Sequence, residues 1–311
     1  MTCVGAGPAG LYLAILLKSR NPGHELTVYE QNPPGVTQGW GVVYWDDLIE
    51  DLQANDPASA RAILDQSFRW VDQTVDIAGY EPVHGIGGGY SMRRQRLLDI
   101  LSQRATELGV AIHYDTDIDL SSEVLAGSDV VVAADGVGSR LRRQRPLAFG
   151  TRAVPGRNRY VWLGTTRVFR TFRFAFVPTE AGWIWFHAYG FDEDTSTLIV
   201  ECSPETWTGL GLDRLDAGAG LARLEEIFAD HLDGHHLLAQ ARDDRLPWLN
   251  FLHVKNEHWF SENVVLAGDA AHTAHFSIGS GTRLALQDSI ALARHLDDRP
   301  DVPSALRAYE Q

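Results

Sequence analysis

The sequence is poor in cysteine and lysine, and it contains no long apolar run. Cys3 and Cys202 are its only cysteines, which is too few for a disulfide framework, and their spacing is not that of metal ligands. We therefore predict buried thiols in a reducing cytoplasm and no bound metal. No apolar segment approaches the roughly 20 residues that cross a bilayer, and the first residues enter a strand without the basic segment of a signal peptide. These absences predict a cytoplasmic protein outside the membrane.

Positive charge is scarce as well. The formal net charge is −14, which argues against nucleic acid as a partner because phosphate binding needs a basic surface. Only Lys18 and Lys255 are lysines, and the other basic residues are arginines. The densest arginine cluster comprises Arg140, Arg142, Arg143, Arg145, Arg152, Arg157 and Arg159. This cluster is either a solvated face or an entrance for an anionic group such as a nucleotide tail.

The first half of the chain alternates strand and helix patterns. The first 30 residues predict a β-α-β unit, with a glycine-rich turn between the first strand and the helix. Residues 130–134 form a continuous apolar run, which is typical of a strand buried on both faces. The predicted strands are 2–4, 25–29, 110–114 and 130–134, and the predicted helices are 11–20, 51–74 with an interruption at Pro57, and 97–108.

After about residue 150 the pattern changes to β-branched and aromatic segments separated by turn residues, which predicts a mixed or antiparallel sheet. These segments are 160–164, 172–177, 182–188 and 197–202, followed by a helix at 217–232, a strand at 264–266 and a helix at 284–296. We predict an α/β fold with an inserted β-rich lobe. The nucleotide-binding lobe would comprise 1–70, 91–150 and 250–311, and the substrate lobe 71–90 and 151–249. The chain ends without a helix stop signal, so a further C-terminal segment is expected.

The first chemical motif is a glycine-rich turn between a strand and a helix. Such glycines allow a tight turn, close approach of a pyrophosphate and close packing of the helix, whose free N–H groups attract phosphates. Glu30 lies 20 residues after Gly10, at the position where an acid accepts hydrogen bonds from ribose hydroxyls. The predicted cofactor contacts in the turn are Gly5, Gly7, Pro8, Ala9 and Gly10. Alone, this motif could also be a helix-capping turn with an incidental acid.

Two further motifs follow apolar strands. Asp135 and Gly136 come directly after 130–134, where ligands bind in doubly wound sheets. Gly268 and Asp269 come directly after 264–266, and Asp269 is placed to accept a hydrogen bond from a ribitol-like hydroxyl. The helix that follows can direct its N–H groups at a flavin ring. Together the three motifs predict one dinucleotide site.

In this order and spacing, the motifs resemble the aromatic-hydroxylase branch of the FAD-dependent monooxygenases over nearly the whole chain. The resemblance implies that the first motif binds ADP, the second lies near FAD and the third binds the ribitol phosphate. It also implies an FAD contact from Arg94, which with Leu97 and Leu101 matches the family pattern R-x-x-L-x-x-x-L, although a surface arginine of a helix is the alternative. The remaining implied FAD contacts, from the segment before and into the last helix, are Gly279, Gly281 and Thr282.

Four segments resemble a narrower group, the salicylyl-CoA 5-hydroxylases above all, then the 2-aminobenzoyl-CoA monooxygenases and a hydroxylase of the violacein pathway. They are 39–43, 157–165, 195–201 and 274–282. The resemblance implies that NAD(P)H reduces FAD, that O₂ forms a flavin C4a-hydroperoxide, and that this hydroxylates an aromatic ring. Salicylyl-CoA going to gentisyl-CoA is the leading reaction, with 2-aminobenzoyl-CoA or an indolic, tryptophan-derived substrate as the alternative. The sequence has no second GxGxxG motif, and NADH versus NADPH stays open.

Two histidines are candidates for the catalytic base. His275 follows the flavin-binding turn, and histidine titrates near neutral pH; many relatives carry Pro-Pro where this chain has His275 and Phe276. The alternative is that His275 only orders the turn. His187 would share a face with Trp183 and Trp185, because alternate residues of a strand point the same way. These three side chains either line a pocket or pack in a core.

Three rival functions remain open. Residues 182–185 partly resemble the GWxWxIP signature of flavin-dependent halogenases, but the Ile-Pro is missing, and neither Lys18 nor Lys255 is well placed to relay a halogen. A non-oxygenating FAD reductase would show no substrate-dependent O₂ uptake. An inactive FAD-binding protein would bind FAD without substrate-stimulated oxidation of NAD(P)H.

Overall fold

Two β-sheets organise the chain in the computed structural model, which describes residues 1–240 and 244–311. The predicted substrate lobe, 151–249, includes residues 241–243, which lie outside the described residues. The strands are β1 Thr2–Val4, β2 Thr27–Tyr29, β3 Gly41–Tyr44, β4 Phe68–Ile77, β5 Val83–Arg93, β6 Ala111–His113, β7 Val131–Ala133, β8 Arg152–Thr165, β9 Phe172–Thr179, β10 Gly182–Gly190, β11 Ser196–Cys202, β12 Leu237–Leu238, β13 Leu249–Lys255, β14 Phe260–Ser261 and β15 Val264–Leu266. The helices are α1 Pro8–Arg20, α2 Asp46–Asn55, α3 Pro57–Leu64, α4 Arg94–Glu107, α5 Arg140–Gln144, α6 Pro146–Phe149, α7 Pro204–Gly209, α8 Ala217–Ile227, α9 Ala229–Leu232, α10 Gly281–Asp298 and α11 Val302–Glu310.

The smaller sheet has the strand order β14-β15-β7-β1-β2-β6. Its strands are parallel except for β14, which pairs with β15 in the antiparallel sense. Every residue of β1, β7 and β15 is buried, as expected for central parallel strands covered on both faces. Because ligands bind at the carboxyl ends of such strands, the motifs that follow β1, β7 and β15 converge on one edge. This confirms the Rossmann-like lobe.

The larger sheet has the order β12-β8-β11-β10-β9-β4-β5-β3, with β13 also paired to β8. All of its neighbours are antiparallel except β4 and β9. One face packs against α7, α8 and α9 through an apolar cluster that includes Phe186, Val200 and Phe228. Alternate residues of the same strands, such as His187 and Glu201, lie on the opposite face. This β-rich lobe, inserted in the chain, confirms the predicted fold class.

The structure corrects one predicted helix. Residues 51–74 are predicted to be helical with an interruption at Pro57, but from Phe68 onward the chain forms β4. Burial alternates there, since Phe68 and Trp70 are buried while the residues after each are exposed, which is the two-residue period of a strand. Pro57 begins α3, and the Asp56 carboxylate caps this helix by accepting a hydrogen bond from the Ser59 N–H at 3.1 Å.

The larger sheet also includes two strands, β3 and β13, that lie outside the β-rich middle of the chain. The strand β3 pairs with β5, and β13 pairs with β8, although the predicted lobe boundaries assign most of both strands to the nucleotide-binding lobe. The boundaries themselves stay a prediction. In the described part of the chain, no helix is both long enough and apolar enough to cross a membrane.

Candidate functional site

A cleft of about 650 Å³ opens at the carboxyl ends of β1, β2 and β7. It is the place where the separated motifs meet. Among its lining residues are Gly5, Gly7, Glu30, Arg94, Asp135 and Asp269, together with Arg140 and Arg143. The sequence-based prediction that the three motifs share one site therefore agrees with this geometry, although the ligand contacts of the individual residues stay predictions.

The glycine-rich turn leads from β1 into α1 and forms one wall of the cleft. Helix α1 begins at Pro8, earlier than expected, and Pro8, Ala9 and Gly10 are buried in its first turn. A Cβ built on Gly10 would lie only 2.1 Å from the Gly5 carbonyl oxygen, so glycine allows the helix to approach the strand. A Cβ built on Gly7 would meet no described atom within 4 Å. Gly7 therefore presents its backbone to open space, as close approach of a pyrophosphate requires.

Glu30, which also lines the cleft, is hydrogen-bonded to the glycine-rich turn. One carboxylate oxygen accepts from the Ala6 N–H at 2.9 Å, and the other accepts from the backbone and side-chain N–H groups of Asn32 at 2.9 and 2.7 Å. These bonds fix the carboxylate at the edge of the cleft. It is thereby oriented as an acceptor for hydroxyl groups.

Asp135 lines the cleft and has one carboxylate oxygen without a hydrogen-bond donor among the described residues. Its Oδ2 accepts from the Arg140 N–H at 2.7 Å, at the start of α5. Its Oδ1 is buried and has no hydrogen-bond partner among the described residues. A buried carboxylate oxygen without a donor costs free energy, which a ligand hydroxyl would recover.

Arg94 and Asp269 both line the cleft, and the charge of each acts on the pKa of the other. The Arg94 Nε donates to the Thr37 hydroxyl at 3.2 Å, and its backbone N–H donates to the Trp40 carbonyl at 2.8 Å. Burial lowers the pKa of Arg94, and the charge of Asp269 opposes this. Burial likewise raises the pKa of Asp269, and the Arg94 charge opposes that shift. The two residues therefore place opposite charges in the lining of the cleft, and their contact with a ribitol stays a prediction.

The segment after β15 is held by an acid from α10. Asp288 Oδ2 accepts from the Gly268 N–H at 2.8 Å and lies 3.0 Å from His272 Nε2. Burial acts to lower the pKa of His272, but the hydrogen bond and charge of Asp288 outweigh it, so the pKa is raised. His272 therefore has a structural role, because its contact with Asp288 orders this turn.

The start of α10 lies beside the larger sheet, apart from the residues that line the cleft. Gly279 adopts a left-handed conformation and packs against Trp45 and Val43. Gly281 and Thr282 form the first turn of α10. The preceding Ser280 makes no capping bond with its side chain, and its buried hydroxyl finds no partner within residues 1–240 and 244–311. An uncapped helix start with free N–H groups suits the polar edge of a ring.

The face of the larger sheet that points away from α7, α8 and α9 is aromatic. His187 stacks between Phe172 and Phe276, with ring centroids 5.8 and 5.6 Å away. Burial, and then the neighbouring His275, lower the pKa of His187 to about 3, so this imidazole is neutral at physiological pH. Of its predicted companions, Trp185 stacks on Phe176, while Trp183 is 47% exposed. Whether His187 acts in catalysis stays a prediction.

A second, smaller cavity of about 150 Å³ lies next to this face. His275 lines it and contacts the rings of Phe251 and Phe276. Most of the other lining residues are polar, and they are Gly156, Arg157, Asn158, Tyr160, Glu201, Phe251 and His253. Burial is the main cause that lowers the pKa of His275, opposed by the charge of Glu201. A neutral imidazole at the mouth of an aromatic face is able to accept a proton, and its role as the base stays a prediction.

The arginine cluster of the sequence does not form a single surface. Arg142 is buried and donates to the Ala270 carbonyl at 2.8 Å, which ties α5 to the segment after β15. Arg140 and Arg143 line the larger cleft, and Arg157 lines the smaller cavity. Arg157 is largely exposed and pairs with Glu205. Some of these arginines are therefore structural, and others face the two openings.

Sequence reasoning missed three residues of these sites. Tyr160 and Glu201 are in-register neighbours of β8 and β11 on the aromatic face, and Asp288 lies on the buried side of α10. For Glu201 and Asp288, the available signal was an acid inside an otherwise apolar strand or helix face, because a carboxylate is costly to bury unless it has a structural or functional role. Their partners come from distant segments and leave no local signature.

These features define a protein with a dinucleotide cleft in a Rossmann-like lobe and an aromatic cavity in a second lobe. Residues 92–300, more than half of the chain, match the FAD binding domain family, and residues 3–35 match the NAD(P)-binding Rossmann-like domain. The chain belongs to the FAD binding domain family and, within it, to the FAD-dependent aromatic monooxygenases.

The chain is similar in sequence to two curated relatives and in fold to one solved structure. The chain is 36% identical over 320 residues to a salicyloyl-CoA 5-hydroxylase of Streptomyces sp, covering 100% of the chain and 61% of that relative. It is 37% identical over 309 residues to the 3-hydroxy-4-methyl-anthranilyl-[aryl-carrier protein] 5-monooxygenase of Streptosporangium sibiricum, covering 98% of the chain and 81% of the relative. The fold matches the tetrameric form of 2-methyl-3-hydroxypyridine-5-carboxylic acid oxygenase with a TM-score of 0.76 and 20% identity, over 99% and 85% of the two chains.

FAD is the cofactor of this family, with NAD(P)H and O₂ as co-substrates. The residues present fit FAD. The open turn at Gly7 suits the pyrophosphate, the fixed carboxylate of Glu30 suits the adenosine ribose, and the orphaned Oδ1 of Asp135 is an acceptor without a donor. Arg94 and Asp269 supply a charged pair toward the ribitol.

Proposed function

We propose that this chain is an NAD(P)H- and O₂-dependent FAD monooxygenase that hydroxylates the ring of an aromatic acyl thioester, with salicylyl-CoA going to gentisyl-CoA as the leading reaction. The observation that carries the proposal is the aromatic face of the larger sheet, with His187, Phe172 and Phe276 stacked beside a polar cavity that contains His275. Phe172 and His187 are buried, so a flat ring would stack on the half-buried ring of Phe276, which contacts the cavity residues Tyr160, Phe251 and His275. The likeness to relatives named for acyl-CoA and carrier-protein substrates supports the thioester.

Each part of the site has a distinct task. Bound FAD supplies the activation of O₂ by a reduced flavin. The rings of Phe172, Phe276 and His187 exclude water from the reacting ring, which protects the oxidising equivalent from loss as H₂O₂. His275 is the base for the proton of the ring hydroxyl, which it receives through the Ser277 hydroxyl at its Nδ1, so that the electron-rich anion is the form that is attacked. The neutral state of its imidazole suits this task.

The CoA moiety of an acyl thioester would extend out of the cavity through an opening that tolerates its negatively charged phosphates. Arg157 lines the smaller cavity, and three quarters of its side chain is exposed to solvent. A guanidinium at the mouth would attract the phosphates of CoA, whereas the protein as a whole has a net charge of −14. An exposed arginine at this mouth is compatible with a CoA ester, whose phosphates would compete with Glu205 for the guanidinium.

A comparison of substrates tests the proposal. FAD-loaded protein is given NADH or NADPH with salicylyl-CoA, free salicylate, 2-aminobenzoyl-CoA or an indolic acid, and NAD(P)H oxidation and ring-hydroxylated products are measured. Stimulation with stoichiometric product for the salicylyl thioester alone is expected. NAD(P)H oxidation that yields no hydroxylated product from any of these substrates contradicts the proposal.

A 2-aminobenzoyl thioester is the second candidate. The likeness to an anthranilyl-[aryl-carrier protein] 5-monooxygenase favours it, because an anthranilyl ring carries an amino group where salicylyl carries a hydroxyl. Product from 2-aminobenzoyl-CoA and none from salicylyl-CoA would select it. Product from the indolic acid alone would move the assignment to a tryptophan-derived substrate.

A further inference from the structure

The orientation of His275 is set by its neighbours in sequence. Its Nδ1 accepts from the Ser277 N–H at 3.4 Å and lies 2.9 Å from the Ser277 hydroxyl. A backbone N–H can only donate, so Nδ1 is the acceptor of the neutral ring and the proton resides on Nε2. The Nε2 atom lies 3.8 Å from Oε1 of Glu201. The imidazole is therefore held between a hydroxyl on one side and a carboxylate on the other.

Glu201 is an unusual residue for its position. It lies in β11, where every residue is buried, and it is only 6% exposed. In register it is flanked by Tyr160 of β8 and Trp185 of β10. Its Oε1 accepts from the Asn158 Nδ2 at 2.7 Å, and among the described residues no lysine or arginine pairs with it. Burying a carboxylate with only a neutral donor is costly, which favours a functional reason for its presence.

We propose that Glu201 is the positioning residue of His275, holding the imidazole in the Nε2–H form and stabilising the imidazolium that arises when the ring hydroxyl of the substrate is deprotonated. The inference rests on the proposed function. The O–H bond of the substrate breaks, and its electron pair stays on oxygen. The Ser277 hydroxyl takes that proton while passing its own to Nδ1 of His275. No oxidation occurs in this step. The new positive charge on the imidazole ring of His275 is balanced by the carboxylate of Glu201.

The electrostatic surroundings of His275 agree with this arrangement. Burial lowers its pKa, the negative charge of Glu201 raises it, and His253 lowers it. Glu201 is thus the group that favours the protonated ring. The titratable and charged groups that face His275 or share its cavity, from β8, β10, β11 and β13, are Arg157, Tyr160, His187, Glu201 and His253.

The first test is a titration of the histidines by NMR in the FAD-loaded protein without substrate. Glu201→Gln keeps the shape and the bond to Asn158 but removes the charge. We expect the pKa of His275 to fall by about one pH unit, since an opposite charge at this distance shifts a pKa by about that much or more. Glu226→Gln, on the exposed side of α8, is the matched control and should leave the titration unchanged. Equal titration of His275 in the parent and in Glu201→Gln overturns the proposal.

The second test is the pH profile of turnover with salicylyl-CoA. In Glu201→Gln the acid limb should move to lower pH and the yield of product per NAD(P)H should drop at least tenfold, while Glu201→Asp should recover part of both. A parent-like pH profile in Glu201→Gln contradicts the proposal, as does a loss that Glu201→Asp fails to recover. If no thioester is hydroxylated even by the parent, the proposed function fails, and the NMR titration still decides whether Glu201 controls His275.

Discussion

The most discriminating perturbation of the flavin cleft is a single methyl group at Gly7. This residue has extended backbone angles, φ −79° and ψ −179°, which any amino acid adopts. A Cβ there would meet no described atom within 4 Å, so Gly7→Ala should change the free energy of unfolding by less than about 1 kcal/mol. The same methyl group would occupy the space in which the pyrophosphate approaches the turn. Gly7→Ala should therefore lower the affinity for FAD while leaving the free energy of unfolding nearly unchanged.

The expected loss follows from the bonds that the methyl group would displace. A hydrogen bond to a charged group contributes about 1.5–3 kcal/mol, and about 1.4 kcal/mol is a tenfold change in affinity. If one phosphate contact at the start of α1 is lost, the dissociation constant of FAD should rise about 10- to 100-fold. Gly10→Ala should behave differently, because its Cβ would lie 2.1 Å from the Gly5 carbonyl oxygen, so it should lower stability as well as affinity.

The assay combines fluorescence titration of apoprotein with FAD and unfolding in urea. Gly218→Ala provides a matched control, because Gly218 is exposed in α8 and does not line the cleft. It should bind FAD like the parent. If Gly7→Ala also binds FAD with parental affinity, the turn does not hold the pyrophosphate. If Gly7→Ala fails to fold, the inference from open space at its Cβ is wrong.

Three further substitutions test other parts of the site. Asp269→Ala should lower FAD affinity at least tenfold, since it removes from the cleft lining the negative charge that opposes the half-buried Arg94; full FAD content after purification would contradict this. His275→Ala should keep FAD but release H₂O₂ in place of product, as measured with a peroxidase, and normal hydroxylation without excess H₂O₂ would refute its role as the base. Asp288→Asn should lower stability by about 1–3 kcal/mol. Burial lowers the pKa of His272 but Asp288 raises it above the unfolded value, so this stabilisation is complete below the unfolded pKa and is lost as pH rises through the folded pKa. Urea unfolding at about pH 5.5 and about pH 9 should therefore show the larger difference at acid pH, and equal differences would count against the pair.

The nucleotide-binding lobe was predictable from sequence because its signals are local. Gly5 directly follows β1, and Asp135 and Gly268 follow β7 and β15 after one intervening residue each. Parallel strands present their carboxyl ends at the same edge, so adjacency in space follows from adjacency in sequence. The helix α1 also follows from its sequence, although it begins at Pro8.

The second lobe was less accessible because its decisive contacts are between distant segments. The strand β4 was interpreted as the continuation of a helix, since its alternation of buried and exposed residues makes sense only next to β5 and β9. The partnership of Glu201 with His275 joins β11 to the segment before α10. No spacing within either segment indicates it.

The central claim is that one atom of O₂ enters the ring of an aromatic acyl thioester. The most direct measurement is mass spectrometry of the product formed from salicylyl-CoA under ¹⁸O₂ by FAD-loaded protein with NAD(P)H. We expect a ring-hydroxylated thioester that carries one ¹⁸O atom for each NAD(P)H consumed. Unlabelled substrate recovered intact beside stoichiometric H₂O₂ would contradict it.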